Sequence, residues 1–129
     1  MKTRVLVLPA LLALAAGAAW AQDKAADPML KLASNSGCMT CHQIEPGGKG
    51  PDGLAPIGPA WKEVSAKYKG QKGAAEQLTK TVMAGSNPYD SHWKGKVSGL
   101  AMPPNAVAIN EADAKKLVGW ILSLEAPKK

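Results

Sequence analysis

The sequence has few of the aromatic side chains from which small proteins usually build a core. Its 129 residues include no phenylalanine, two tyrosines and four tryptophans. Small chains bury a low fraction of their surface. They often need a disulfide, a metal or another bound group, in addition to packed side chains, in order to be stable. We therefore expect that the core of this protein contains something besides side chains.

Cysteine and histidine are also scarce, and their scarcity excludes several kinds of site. Cys38 and Cys41 are the only cysteines, and His42 and His92 are the only histidines. A zinc site would need a second pair of ligands, which the sequence does not supply. A dithiol redox motif usually follows a strand in a βαβ pattern, but the segment before Cys38 has a helical pattern. A structural disulfide between the two cysteines stays open, because such bonds form in exported proteins.

The longest apolar run lies at the N-terminus and has the features of an export signal. Two basic residues precede an almost wholly apolar stretch at 5–19, and Ala19-Trp20-Ala21 matches an A-x-A cleavage site. This pattern predicts a secretory signal peptide, residues 1–21, that is cleaved after passage through the Sec route. Pro9 interrupts the run, which is also short for a membrane span of about 20 residues. We expect a periplasmic protein with no membrane anchor after cleavage.

The predicted mature domain, residues 22–129, is mildly basic. Loss of Lys2 and Arg4 would leave 14 basic and 10 acidic residues, a net charge of +4. No basic run is interleaved with aromatic residues, so nucleic acid is not an expected partner. The positive net charge favours a protein partner with an acidic docking face. We expect the domain to be monomeric.

The central motif is Cys38-Met39-Thr40-Cys41-His42, which has the C-x-x-C-H pattern of c-type haem attachment. Two thiols three residues apart lie on one face of a helical turn, where each can form a thioether to one haem vinyl group. The histidine that follows is carried beneath the iron and can bind it as the proximal ligand. We predict one covalent haem c held by Cys38, Cys41 and His42. This large apolar ligand would also supply the missing centre of the core.

The remaining periodicity and capping signals are helical, and nothing alternates with period two over a useful length. They predict a helix from Pro28 to about Ser36, a short helix bearing Trp61 to Tyr68, a third from about Ala74 to Ala84, and a last one between Asn110 and Pro127. Two segments are predicted to be irregular: Glu45–Pro56, which has four glycines and three prolines, and Asn87–Asn105. The predicted fold is all-α, with four or five helices around one haem.

A second axial ligand to the iron is expected to be methionine or histidine. Met39 lies between the attached cysteines, too close to reach the distal side, and Met29 and Met83 lie on predicted helices, where methionine more often packs. Met102 precedes Pro103-Pro104 in irregular backbone that the prolines restrict. This favours Met102 as the ligand, with His92 or an open site as the alternatives.

The order of these features resembles the short bacterial periplasmic monohaem class I cytochromes c, over essentially all of the mature chain. The resemblance rests on the helix before C-x-x-C-H, on Gly58-Pro59-Ala60, on Met102-Pro-Pro-Asn105 and on the C-terminal helix. It implies that Pro59 offers its carbonyl to the second nitrogen of His42. It also implies that Asn105 hydrogen-bonds the ligand sulfur.

The resemblance implies two further roles, both for tryptophans. Trp93 would reach a haem propionate, and Trp120 would pack against the N-terminal helix. The stretches Glu45–Pro56 and Asn87–His92 are longer than in the shortest members of this family.

The expected function follows from the expected ligands. With His42 and Met102 both bound, the iron has no position for a substrate, and a methionine ligand raises its reduction potential. We therefore expect a one-electron carrier between periplasmic redox partners and not an enzyme. The alternatives are a cytochrome subunit of a periplasmic oxidoreductase complex, such as a sulfite or thiosulfate dehydrogenase, a peroxidase-like haem enzyme with an open distal site, and a thiol oxidoreductase.

Overall fold

Helices make up the regular structure of the protein, as the computed structural model shows for residues 27–128. The four α-helices are α1 (Pro28–Asn35), α2 (Trp61–Tyr68), α3 (Ala74–Ala84) and α4 (Glu111–Ser123), with short 3₁₀ turns at Cys38–Thr40 and Pro51–Gly53. Within this range there is no strand, and the one β-bridge joins Lys94 to Val97. The all-α prediction is confirmed. The predicted signal peptide lies outside the described residues.

None of the helices between residues 27 and 128 combines the length and the apolar character that a membrane crossing requires.

Local signals account for the ends of α1 and α4. The Asp27 carboxylate accepts the Met29 N–H at 2.9 Å, and Pro28 occupies the first turn of α1. Asn110 caps α4, because its Oδ1 accepts the Asp113 N–H at 2.9 Å and its Nδ2 donates to the Asp113 carboxylate at 2.8 Å. The sequence predicted that α1 extends to about Ser36, and in the structure it ends one residue earlier, at Asn35.

The core forms where α4 packs across the other three helices. Its buried cluster consists of Ala33, Trp61, Ile109, Ala114, Leu117 and Ile121. Trp120 is half-buried and packs edge-on against Trp61, with 5.8 Å between ring centroids. Trp120 therefore lies against a cluster to which Ala33 of α1 also belongs. Apolar periodicity in the sequence predicts a buried face of α4 made of Ala114, Leu117, Val118, Ile121 and Leu122. All of these are buried except Leu122, which is half-buried.

Apolar periodicity in the α3 sequence predicts that Ala75, Leu78 and Val82 form its buried stripe, and the burial observed in the structure differs. The buried residues of this helix are Ala74 and Thr79, and the predicted three are only half-buried. Thr79 can be buried because its hydroxyl donates to the Ala75 carbonyl at 2.7 Å, so no polar atom is left without a partner. Hydrophobic periodicity does not detect such a threonine.

A buried serine joins α2 to the end of α4. Ser65 is fully buried, and its Oγ lies 2.8 Å from the Leu124 carbonyl and 3.2 Å from the Leu122 carbonyl. Carbonyls at the end of a helix have no partner within the helix. The Ser65 hydroxyl therefore satisfies a helix end across a tertiary contact.

Replacing Ser65 with alanine should lower the free energy of unfolding of the haem-loaded protein by about 1–3 kcal/mol, because a buried carbonyl loses its donor. Urea denaturation measures this change. Ser123→Ala is the control, since the exposed Ser123 hydroxyl donates only to Trp120 within α4, and it should change stability by less than about 0.5 kcal/mol. Equal effects of the two substitutions would contradict the role assigned to Ser65.

Candidate haem site

The cysteine motif forms a tight turn directly after α1. Gly37 adopts φ +74°, a conformation that favours glycine, and leads the chain from the helix into the 3₁₀ turn. The Cys38 carbonyl then accepts the Cys41 N–H at 3.3 Å and the His42 N–H at 3.0 Å. Both thiols are free and partly exposed. The turn thus holds the two thiols and the imidazole on one short, hydrogen-bonded segment.

The electrostatics of the first thiol are unlike those of a redox-active dithiol. Burial raises the pKa of Cys38; a backbone hydrogen bond opposes this shift and the neighbouring Cys41 adds to it. Reactive cysteines of thiol oxidoreductases have a lowered pKa, which populates the thiolate. The raised pKa disfavours the thiol oxidoreductase alternative.

His42 is held in the protonation state that a metal ligand requires. Its Nδ1 lies 2.8 Å from the Pro59 carbonyl, which can only accept, so the proton is assigned to Nδ1. Nε2 then carries a lone pair. Burial lowers the pKa of His42, against the opposing effect of the Pro59 hydrogen bond, so the ring is neutral at neutral pH. A neutral imidazole with one nitrogen engaged by a carbonyl is the usual arrangement of a ligating histidine.

The chain from Gly58 to Trp61 forms a cradle around the His42 ring. A Cβ at Gly58 would lie 2.8 Å from Cε1 of His42, closer than side chains approach one another. The Gly58 N–H donates to the Cys41 carbonyl at 2.8 Å, and the Trp61 N–H donates to the Gln43 carbonyl at 2.8 Å. The indole of Trp61 stacks on the imidazole with 5.9 Å between centroids and an angle of 26°. These contacts restrict the rotation of the His42 ring.

Met102 lies in irregular backbone that is attached to the end of α3. Its N–H donates to the Ser86 hydroxyl at 2.8 Å, and its carbonyl accepts the Ser86 N–H at 2.9 Å. Met102 is half-buried. The rigidity that the sequence attributed to Pro103-Pro104 thus has a second source in the contact with Ser86.

Asn105 also connects the methionine loop to α3. Its side-chain amide donates to the Pro103 carbonyl at 2.7 Å and to the Val82 carbonyl at 3.3 Å, and its backbone N–H donates to Val82 at 3.0 Å. A hydrogen bond to the ligand sulfur would have to replace one of the two side-chain bonds. That bond therefore stays a prediction.

Trp93 and His92 lie together on the loop between α3 and α4. His92 is exposed, and its ring meets Trp93 edge-on at 4.8 Å. The Lys96 ammonium lies 3.3 Å from Nε2 of His92 and 5.7 Å from the centroid of the Trp93 ring. Partial desolvation and the charges of Lys67 and Lys96 lower the pKa of His92. An exposed imidazole whose Nε2 accepts from a lysine is poorly placed to be the second axial ligand.

Comparison with protein families identifies the class of protein to which these features belong. The profile of the family described as Cytochrome c matches residues 30–125. The chain belongs to the cytochrome c family. Cys38, Cys41 and His42 occupy the positions of the haem c attachment motif. The predicted cofactor and the predicted resemblance to small class I cytochromes c are confirmed.

Several relatives of this cytochrome are named proteins of similar size. It is 42% identical over 95 residues to cytochrome c-551 of Allochromatium vinosum, which covers 74% of this chain and 84% of the relative. It is 36% identical over 110 residues to cytochrome c-551 of Pseudomonas aeruginosa, covering 85% of each chain. The crystal structure of wild-type Nitrosomonas europaea cytochrome c552 is similar with a TM-score of 0.56 and 36% identity, covering 74% of this chain and 99% of that one.

The residues present in this cytochrome fit a covalently attached haem c. Two free thiols and a neutral imidazole with its Nε2 lone pair available are the donors that covalent attachment and proximal ligation require. Sequence reasoning missed three residues of the site: Gly58, Trp61 as a partner of the imidazole, and Ser86. Gly58 had a signal, since a glycine directly before Pro59 permits close approach of backbone to a ring, but Ser86 had none.

Proposed function

We propose that this cytochrome is a periplasmic one-electron carrier in which His42 and Met102 are the two axial ligands of the iron. The observation that carries the proposal is the double hydrogen bond between Met102 and Ser86, at 2.8 and 2.9 Å. A carrier differs from a haem enzyme in having its sixth position filled. A methionine whose backbone is held on both sides is suited to fill that position permanently.

The two ligands have different tasks. Haem c supplies an iron that accepts and releases one electron. The Pro59 carbonyl, 2.8 Å from Nδ1 of His42, increases the basicity of the imidazole and keeps its orientation. The Met102 thioether is a soft ligand that favours ferrous iron and so raises the reduction potential. Because the His42 ring and the Met102 backbone are both hydrogen-bonded, their positions would change little between the oxidation states of a bound haem.

The proposed site of electron exchange is the haem edge beside the two thioethers. Cys38 and Cys41 are both partly exposed, so a group attached to them lies near the surface. The half-buried Trp93 and the Lys96 ammonium lie on the loop at 87–100. A contact between Trp93 and a haem propionate is part of the proposal.

Export is proposed from the sequence. The basic start, apolar stretch and A-x-A motif of residues 1–21 predict cleavage after Ala21. The mature protein should then begin at Gln22 and be found in the periplasmic fraction. N-terminal sequencing of the protein purified from that fraction tests this, and an intact Met1 would contradict it.

One experiment separates the carrier from the alternatives. Optical spectra of the oxidised and reduced protein should show the methionine–iron charge-transfer absorption, and the denatured chain should retain haem. Cyanide should bind the ferric iron slowly. Rapid binding of cyanide or carbon monoxide would favour the peroxidase-like alternative. Constant copurification with a larger redox enzyme would favour a dedicated subunit.

Reaction with charged partners should depend on ionic strength, because the chain has a net charge of +6, or +4 after cleavage. Between residues 27 and 128 the ion pairs are Lys62–Glu45 and Lys116–Asp113, and the other lysines in this range have no carboxylate partner within it. The rate constant for oxidation by ferricyanide should fall about twofold or more as salt rises from roughly 0.01 to 0.15 M.

A cationic oxidant, tris(phenanthroline)cobalt(III), is the matched control, and its rate constant should rise over the same range of salt. Stopped-flow absorbance measures both reactions. Rates that do not change with salt for either oxidant would remove the proposal of an acidic docking partner.

A further inference from the structure

The loop that carries Met102 has little packing of its own. None of residues 87–101 is buried, and the side chains of Tyr89 and Leu100 are each 86% exposed. Backbone hydrogen bonds from Ser98 to the Pro56 carbonyl, at 2.9 Å, and from Gly99 to the Ile57 carbonyl, at 3.0 Å, hold the loop three residues before Met102. Met102 itself is held at the end of α3.

The attachment is a reciprocal pair of hydrogen bonds between Ser86 and Met102. The Ser86 hydroxyl accepts the Met102 N–H at 2.8 Å, and the Ser86 N–H donates to the Met102 carbonyl at 2.9 Å. The two residues are 16 positions apart, so the pair closes the whole loop at its base. The pair holds the backbone of Met102 against the end of α3.

The residue before Ser86 allows this close contact. Gly85 ends α3 with φ +85°, and a Cβ there would lie 2.9 Å from the Met102 carbonyl and 3.1 Å from the ring of Pro104. A positive φ and a close approach both require glycine. The end of α3 is thus shaped to receive the methionine segment.

We propose that Ser86 is the positioning residue for the axial methionine, and that its hydroxyl keeps Met102 on the iron and slows its replacement by outside ligands. This inference rests on the proposed His42/Met102 ligation. The role belongs to the hydroxyl, because the Ser86 N–H is present with any side chain but the acceptor of the Met102 N–H is not.

The physical basis is a shift between two states of the protein, one with the Met102 thioether on the iron and one in which it has left. An outside ligand binds ferric iron only from the state in which the thioether has left, so its rate and affinity scale with the population of that state. Loss of one intramolecular hydrogen bond changes such a population about fivefold.

Imidazole binding to the ferric protein tests the proposal. Ser86→Ala should retain attached haem and bind imidazole about fivefold faster and about fivefold more tightly than the unmodified protein. Ser86→Thr keeps the hydroxyl and should restore the rate to within about twofold. Thr81→Ala is the control on the same helix, because the Thr81 hydroxyl donates only to the Gln77 carbonyl. It should bind imidazole at the original rate.

The outcomes separate this inference from the ligand assignment. If Met102→Ala keeps the methionine–iron absorption, His42/Met102 ligation is wrong and the role of Ser86 is wrong with it. If Met102→Ala loses the absorption but Ser86→Ala binds imidazole at the original rate, only the role of Ser86 is overturned. Equal acceleration in Thr81→Ala would also overturn it, since the effect would then be general to α3.

A measurement on the unmodified protein covers the case in which Ser86→Ala yields no folded holoprotein. Amide hydrogen exchange at Met102 should be slow in the ferrous protein and should accelerate when imidazole occupies the ferric iron. Exchange of this amide at the rate of an unprotected peptide would overturn the proposal.

Discussion

Cys38→Ala combined with Cys41→Ala should yield a colourless chain that does not melt cooperatively. The reason is the small core. Among residues 27–128, Trp61 is the one buried aromatic side chain, and four of the other eight buried hydrophobic residues are alanines. A chain of this size with so small an aromatic core needs a bound or covalent group to stabilise its fold, and the motif supplies covalent haem for this role. Circular dichroism during a thermal scan measures the loss of cooperativity.

The control is Met39→Ala, which alters the same turn and leaves both thiols in place. Met39 is half-buried and packs against the core, so some stability should be lost while haem and cooperative melting are retained. A colourless double variant with native-like helicity and a sharp melting transition would show that the fold does not need the haem.

Met102→Ala should leave haem attached and lower the reduction potential by on the order of 100 mV or more, since axial ligands set this potential over a wide range. Attachment requires Cys38, Cys41 and His42, none of which the substitution changes. Water or an added ligand should bind the ferric iron in place of the thioether, and the methionine–iron charge-transfer absorption should vanish. Optical spectra and a redox titration measure these changes.

Met83→Ala is the matched control, because Met83 is also a half-buried methionine at the edge of the core but lies on α3. It should cost about 2 kcal/mol of stability through lost packing, the lower end of the range for buried methionine, and should keep the absorption. If the absorption survives in Met102→Ala and vanishes in Met83→Ala, the assignment of the ligand is wrong, although a one-electron carrier could still be built on Met83.

The local features of this protein could be predicted from its sequence because they depend on residues close together in the chain. The C-x-x-C-H spacing places two thiols and an imidazole on one turn whatever surrounds them, and this specified the cofactor. Asp27, Pro28 and Asn110 specified the helix ends, since a cap is a contact over two or three residues. The period of the apolar residues specified the all-α class and most of the buried face of α4.

The features that only the tertiary structure decided join residues far apart in the chain. Ser65 meets Leu124 across 59 positions, and Met102 meets Ser86 across 16. The contact of His42 with Pro59, across 17 positions, was expected from the resemblance to class I cytochromes c and not from the periodicity or spacing of the residues. In each pair a polar group finds its partner only after the helices have packed, and hydrophobic periodicity carries no information about which polar groups will meet. The haem could therefore be predicted from a few adjacent residues, whereas the hydrogen bonds that restrain each proposed ligand form only when the chain packs.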